Sequence, residues 1–330
     1  MKKRFPRAML VCSLAAALAA LACSLITVPA QAAQYRVRYA MQKVPEDYVY
    51  RASDWGKKYD LDVKTMVSPS GVRSMQHLLS GQADCADSGS GPILSTISRA
   101  PGKLTIVSAT HSGGQRHELM VEPDASYSSL ADLKGKRIAI RVGSGAYIAF
   151  ERYIASKGWN NHDFNIVNMA PGDMGAAISS GQVAGAITWE PTPSILVTKH
   201  VVKVIQNFGN VTTDPALLVC TTDFVKHHPK AVERFLASIS DMYHFIKTNP
   251  KGAGERAAKV ASQSGVSVPP AAFTRAFKHM TFDMHLSAEN MKDLQSNAKF
   301  MVKHHRISSV PDIQAMVDMK YLKAAQKMAG

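Results

Sequence analysis

Two stretches of this chain, LLSGQADCADS at 78–88 and ISSGQVAGAIT at 178–188, align residue for residue at an interval of 100. Each reads as a helix end, a small-residue stop and a strand. Each also holds the same place in a longer alternation. In the first series, Tyr35–Tyr39 alternates as a strand, Pro45 opens a helical stretch to Tyr59, and Val63–Val67 is a strand. Val72, Met75, Leu78 and Leu79 then share a helix face that Gly81 ends. Ala83–Asp87 is a strand, Pro92–Arg99 a helix and Leu104–Ala109 a strand. The second series runs strand Arg137–Arg141, helix Ala146–Ser156, strand Phe164–Val167, helix Met174–Ser180, strand Ala184–Thr188, helix Pro193–Lys199 and strand Val202–Ile205. Repeated βα units imply a mostly parallel sheet covered by helices. Their recurrence implies two similar α/β lobes.

Two extended pieces, His117–Val121 and Ala216–Thr221, join the series. Two crossing strands of this kind make a hinge on which lobes close. Beyond them Pro229 opens a helical tail. Its Val232, Phe235, Leu236, Ile239, Met242, Tyr243 and Ile246 form one apolar face, and Met291, Leu294, Ala298 and Met301 form another. These C-terminal helices are expected to pack on the first lobe, which the chain re-enters near Ala216. The expected organisation is a leader at 1–32, lobe I at 33–118 and 217–330, and lobe II at 119–216.

The leader has Lys2, Lys3, Arg4 and Arg7, an apolar run from Ala8 to about Val28, and then Ala30-Gln31-Ala32. That is the pattern of a cleaved export signal. The apolar run is long enough to span a membrane, so an uncleaved anchor is the alternative. A lipid-modified Cys23 ranks below both, because Ala20-Leu21-Ala22 lacks the large aliphatic residue expected three places upstream. The formal net charge is +14, of which the four basic leader residues carry four. A basic balance favours anionic partners. No basic stripe interleaved with aromatics marks a nucleic-acid surface, so no nucleic acid is expected. Past the leader only Cys85 and Cys220 remain, too few for a disulfide scaffold.

Ligands of open α/β sheets bind at the carboxyl ends of the strands. The residues there are Gln42 and Lys43, Ser88-Gly89-Ser90-Gly91-Pro92, and His111 to Arg116 in the first series. In the second they are Arg141, Gly143-Ser144-Gly145-Ala146, Gly172-Asp173 and Trp189-Glu190-Pro191. Two small-residue loops, one per lobe, each feed a helix N-terminus, where free N–H groups and the helix dipole favour an anion. Ser88, Ser90 and Ser144 add hydroxyls, and Arg141 a forked charged donor. The plainer alternatives are that these serines cap helices and that Arg116 and Lys43 are solvated. Trp189 either covers a ligand's apolar part or fills a lobe core. Glu190 caps a helix, orients Arg141 or receives a ligand amine.

A catalytic constellation is missing. Gly143-Ser144-Gly145 lacks the outer spacing of a nucleophile elbow. Ile148 occupies the third glycine position of a dinucleotide fingerprint. No HExxH or CxxC occurs, and the adjacent pairs His227-His228 and His304-His305 cannot face one ligand from a helix. No catalytic residue, metal or cofactor is expected.

In SGQADCADSGSGP (80–92), LADLKGKRIAIRVGSG (130–145), AAISSGQVAGAITWEPTPS (176–194) and FVKHHPKAVERFL (224–236), the chain resembles the periplasmic solute-binding proteins of ABC importers, in their nitrate/sulfonate/taurine branch. The resemblance covers about 35–310. It implies the type II periplasmic binding fold and a monomer in the periplasm working with membrane permease and ATPase subunits. The implied ligand is a small anion: nitrate, a sulfonate such as taurine, or a carboxylate. It is held by Gln42, Ser88 to Gly91, Arg141 to Ala146 and Trp189-Glu190, to which Arg116 is added from the loop after the fourth strand. Ala184 stands where such proteins often have Asp, and only SPSG (68–71) stands in place of a longer glycine-rich approach. Alternative ligands are an aromatic carboxylate or another non-sulfonate solute. Alternative roles are a receptor's sensing lobes and an enzyme of the related thiamine-pyrimidine branch, whose Cys-rich motif is absent. The resemblance also makes the strands of Cys85 and Cys220 neighbours. Two buried free thiols are favoured over a bridge, which needs well-aligned Cβ atoms.

Overall fold

The computed structural model describes residues 34–329. The expected leader, with Cys23 and the Ala30-Gln31-Ala32 cleavage pattern, lies outside the described residues. Ten strands form two five-stranded sheets. They are β1 (Tyr35–Met41), β2 (Leu61–Val67), β3 (Cys85–Gly89), β4 (Leu104–Ala109), β5 (His117–Val121), β6 (Arg137–Ile140), β7 (Asn165–Asn168), β8 (Gly185–Trp189), β9 (Lys203–Asn207) and β10 (Ala216–Thr221). The first sheet is ordered β2-β1-β3-β10-β4 and the second β7-β6-β8-β5-β9. The same order is thus drawn twice, each time with one strand set antiparallel to its neighbours: β10 in the first sheet and β5 in the second.

The repeated motif is identical in backbone as well. Helices α1 (Pro45–Arg51), α2 (Gly71–Leu79) and α3 (Ser90–Arg99) alternate with the first strands, and α4 (Gly145–Ser156), α5 (Pro171–Ser179) and α6 (Thr192–Thr198) with the second. α2 and α5 both stop at a Ser-Gly pair. Gly81 and Gly181 take φ of 71° and 68°, the left-handed turn that glycine enters without a Cβ penalty. The chain then docks by equivalent bonds, Asp84 N–H to Arg38 O at 2.8 Å and Ala184 N–H to Arg137 O at 2.9 Å. The Asp84 carboxylate pairs with Arg38 at the strand ends remote from the glycine loops. Ala184 therefore removes an ion pair to Arg137, not a ligand contact.

The helix expected from Pro45 to Tyr59 ends at Arg51. A turn follows, and Gly56 packs so tightly on the Leu61 carbonyl that an added Cβ would lie 2.3 Å from that oxygen. The tail consists of α7 (Thr222–His227), α8 (Pro229–Thr248), α9 (Pro250–Gln263), α10 (Pro270–Lys278), α11 (Ala288–Lys303) and α12 (Lys320–Ala329). The predicted face of α8 is wholly buried against β1 and α1. Leu294, Ala298 and Met301 of α11 join Ile93, Leu94 and Ile97 of α3 on the opposite face of the first sheet. Each such side chain contributes about 1.5–3 kcal/mol on burial. α10 reaches further and also packs on α6 of the second lobe.

The two crossings run side by side. Thr110 N–H donates to Ala216 O at 2.9 Å, Ala216 N–H to His111 O at 2.8 Å and Gly113 N–H to Thr213 O at 2.7 Å. At Gly114 an added Cβ would lie 2.1 Å from the Thr212 carbonyl oxygen, so only glycine permits this approach. One expectation is corrected here: Cys85 and Cys220 form a disulfide. The cause is register, since β10 is inserted beside β3 with Cys220 directly opposite Cys85.

Candidate functional site

A cleft of about 630 Å³, part of it open to solvent, lies between the sheets at the carboxyl ends of their strands. Gln42, Ser88, Gly89, Arg116, Arg141, Gly143, Ser144, Gly145, Trp189 and Glu190 line it as expected from sequence. Ser90 and Ala146 do not. Both are the first or second residues of helices whose side chains turn inward. The Ser90 hydroxyl donates to Asp214 Oδ1 at 2.7 Å and accepts from Asn297 Nδ2 at 3.1 Å, while Ala146 is buried in the second-lobe core.

Three helices point their N-termini at this cleft. Ser70 and Gly89, the residues preceding α2 and α3, make no side-chain cap, so first-turn N–H groups there stay available. Ser144 does cap α4, accepting from Tyr147 N–H at 3.2 Å. Its role as a cap is therefore realised whatever else it does. Gly71 packs onto Ser88 so closely that an added Cβ would lie 1.9 Å from Ser88 Oγ. That hydroxyl is buried and has no partner. Gly145 in turn abuts the Asp214 carboxylate, which an added Cβ would approach to 2.2 Å. Close packing inside the protein therefore requires both glycines, Gly71 against Ser88 and Gly145 against Asp214.

Arg116 is buried rather than solvated. Its Nη2 donates to Asp214 Oδ2 at 2.7 Å and to Asp214 O at 2.6 Å, while its Nε is left without a partner. His117 Nε2 lies 2.7 Å from Asp214 Oδ2 and 3.0 Å from Arg116 Nη1. Burial alone would raise the Asp214 pKa, but the Arg116 charge and the His117 and Ser90 hydrogen bonds overcome it and hold the carboxyl well below its usual range. Burial and the Arg116 charge push His117 down to about 4, against the pull of Asp214, so the ring is neutral at pH 7. Arg141, half-buried, lines the cleft from the second lobe. Lys43 is exposed, as its solvated reading expects.

Gln42, on the cleft wall, also contacts carboxylates behind it. Its N–H donates to Asp47 Oδ2 at 2.6 Å, and its side-chain Nε2 lies 3.4 Å from Asp87 Oδ2. The Tyr39 hydroxyl bridges Asp87 (3.2 Å) and Asp47 (3.4 Å), and Glu46 sits against His111. Burial and the neighbouring Glu46 charge push Asp87 up to about 7. Asp47 is also raised well above its ordinary value by burial and by Asp87.

Of the three readings of Glu190, helix capping is the one observed. Its Oε2 accepts from Ser194 N–H at 3.1 Å and its Oε1 from the Ser194 hydroxyl at 2.7 Å. Tail residues complete its shell, with Arg275 Nη1 at 3.1 Å and His279 Nδ1 at 2.9 Å. Trp189 is both things expected of it, partly packed in the second-lobe core and partly facing the cleft. Glu118, Glu190 and His279 bring three potential metal-ligand atoms together. Arg275 donates to both of these carboxylates and already supplies the cation.

Sequence reading missed Asp214, His117, Met280 and Val44 as cleft residues, and did not assign the start of α2 at Ser70–Val72 to the cleft. It also missed Arg275 and His279, which act on the cleft from the tail. Asp214 has a weak local signal in the turn-like Asp214-Pro215 before β10. The others are brought in only by the pairing of the two crossings and the return of the tail.

A family model described as NMT1/THI5 like matches residues 45–253. A binding protein of Brucella abortus is 26% identical over 208 residues, which are 62% of this chain and 63% of that protein, so the match spans under two thirds of the relative's own length. The taurine-binding periplasmic protein of Escherichia coli is 27% identical over 257 residues, 76% of this chain and 78% of that protein. The alkanesulfonate-binding protein SsuA from Xanthomonas axonopodis pv. citri, solved bound to MOPS, has the same fold. It matches with a TM-score of 0.76 and 21% identity, over 86% of this chain and 98% of that one. These three are binding proteins by description, while a desulfurization enzyme, DszB, shares the fold at a TM-score of 0.66 and 15% identity.

Proposed function

The chain belongs to the NMT1/THI5-like family, and on that premise we propose that it is an extracytoplasmic solute-binding protein that captures a small organic anion, of sulfonate type, between its two lobes. It would hand that anion unchanged to the permease and ATPase subunits of an ABC importer. Export through a cleaved leader and a monomeric state belong to the same proposal. The observation that carries it is the set of donors aimed into one cleft. These are the buried, unpartnered Ser88 Oγ and Arg116 Nε, the Arg141 guanidinium and the open N-termini of α2 and α3. Buried donors without partners are costly to a folded protein unless a ligand completes them. A bare anion would not use the apolar remainder of the cleft, which includes Val44, Pro92, Trp189 and Met280. Relatives described as binding taurine and alkanesulfonate favour a sulfonate over nitrate or a carboxylate.

The test is a thermal-shift and calorimetric screen of sulfonates, carboxylates, nitrate and sulfate on the mature protein, with mass analysis of the ligand after incubation. A stabilising sulfonate recovered intact is the expected result. Conversion of the ligand, or no response to any anion, would overturn the proposal.

A further inference from the structure

Resting on the reading of the cleft as an organic-anion site, we infer that its ligand carries no cationic group, and that Arg275 and His279, on and just after tail helix α10, set this selectivity by neutralising Glu190. Two carboxylates face the cleft, Glu190 and Asp214. An ammonium on the ligand would need one of them. Asp214 is fully engaged by Arg116, His117 and the Ser90 hydroxyl. Glu190 is fully engaged by both Ser194 donors, Arg275 and His279. Arg275 also grips Glu118 through both of its terminal nitrogens, at 3.0 and 3.1 Å, which fixes the guanidinium over the carboxylate pair. The rest of the lining mixes apolar side chains, Val44, Pro92, Trp189 and Met280 among them, with the neutral polar Gln42 and Ser70, and offers no further carboxylate. An ammonium placed there loses water and gains no free counter-charge, and a charge without an opposite partner is strongly disfavoured in such a place. Arg275 and His279 are not in the cleft lining. They act through Glu190, so they are positioning residues.

The probes are 1-propanesulfonate and taurine, which match in length and differ in the terminal methyl or ammonium. Calorimetry on the mature protein is expected to give 1-propanesulfonate at least ~100-fold the affinity of taurine, the lower end of what a buried charge left unpaired costs. Arg275→Met, which uncovers Glu190, is expected to lower that preference at least ~10-fold. Arg275→Lys keeps the charge and should keep the preference. Adding Glu190→Gln to Arg275→Met should restore the preference, a result that a general loosening of the fold would not give. His279→Gln provides a second route to a partly uncovered Glu190 should Arg275→Met not fold, and should lower the preference in the same direction. Equal binding of the two probes by the wild type, or a preference unmoved in both single variants, overturns the inference and leaves the carrier reading intact. No binding of either probe, nor of butanoate or sulfate, overturns both.

Discussion

The Arg116 guanidinium, at the end of the first crossing between the sheets, donates at 2.6 Å to the main-chain carbonyl of Asp214 in the second crossing and at 2.7 Å to its carboxylate. A single side chain therefore ties the two crossings together at both backbone and charge, on the floor of the cleft. The two arginines of the cleft are distinguished by this pairing.

Arg116→Ala leaves Asp214 buried with only His117 and Ser90 beside it. Loss of one partner of a buried pair is expected to destabilise the protein by about 3–5 kcal/mol. Arg141 is half-buried and faces the cleft. Arg141→Ala should leave the denaturation midpoint within the range of ordinary surface substitutions and weaken anion binding about 10-fold to 100-fold, the loss of one charged hydrogen bond. Urea unfolding and calorimetry on the two variants separate these effects. Equal stability losses in both would show that the pairing does not distinguish them.

Asp87 gives a pH signature. Its carboxyl is raised in the folded protein to about 7 by burial and by Glu46. Between about pH 4 and 7 the folded state thus binds more protons than the unfolded one, and stability falls as pH rises through that window. His117, held down to about 4, acts in the opposite sense over part of the same range. The difference between wild type and Asp87→Asn removes the His117 contribution and reports Asp87 together with Asp47, whose carboxyl Asp87 raises. The variant should gain on the wild type as pH rises from 4 to 7, by an amount on the order of a few kcal/mol. A pH-independent difference in unfolding free energy would refute the assignment.

Gly71 and Ser88 form a complementary pair, because a Cβ at Gly71 would lie 1.9 Å from the Ser88 hydroxyl. Gly71→Ala should destabilise the fold by about 1–3 kcal/mol through overpacking. Adding Ser88→Gly should recover most of that loss in thermal unfolding, while anion affinity stays low because the hydroxyl donor is gone. Additive losses in the double variant would rule out direct contact as the cause.

The Cys85–Cys220 bridge closes a sequence separation of 135 residues. Cys85→Ala with Cys220→Ala is expected to lower stability by about 2–5 kcal/mol. The denatured, unreduced mature protein should show no free thiol by mass spectrometry. Detection of two would argue that the chain is held reduced.

The two lobes, the succession of strands and helices along each series and the burial of the α8 face were legible because they rest on local periodicity and on a motif written twice. Ten of the site residues were legible for a related reason: they follow strands whose ends face the cleft in any fold of this type. What stayed hidden depends on contacts between distant segments. Asp214 sits 98 residues from Arg116, and the Glu190 partners Arg275 and His279 come from the tail at separations of 85 and 89 residues. Glu190 was ambiguous in sequence because a carboxylate's role is set by which cation reaches it. The cysteine pair was misjudged because insertion of β10 beside β3 fixes register only once the whole first sheet is assembled.

The crossings carry one further implication. Arg116 and Asp214 belong to the two paired segments that join the lobes, and both face the space between them. In mechanical terms the cleft is loaded at its fulcrum. A ligand that draws on Arg116 acts where arm length is least, while the rims, where a Cβ on Gly91 would come within 3.2 Å of the Gly143 carbonyl oxygen, stand at the long end of the lever.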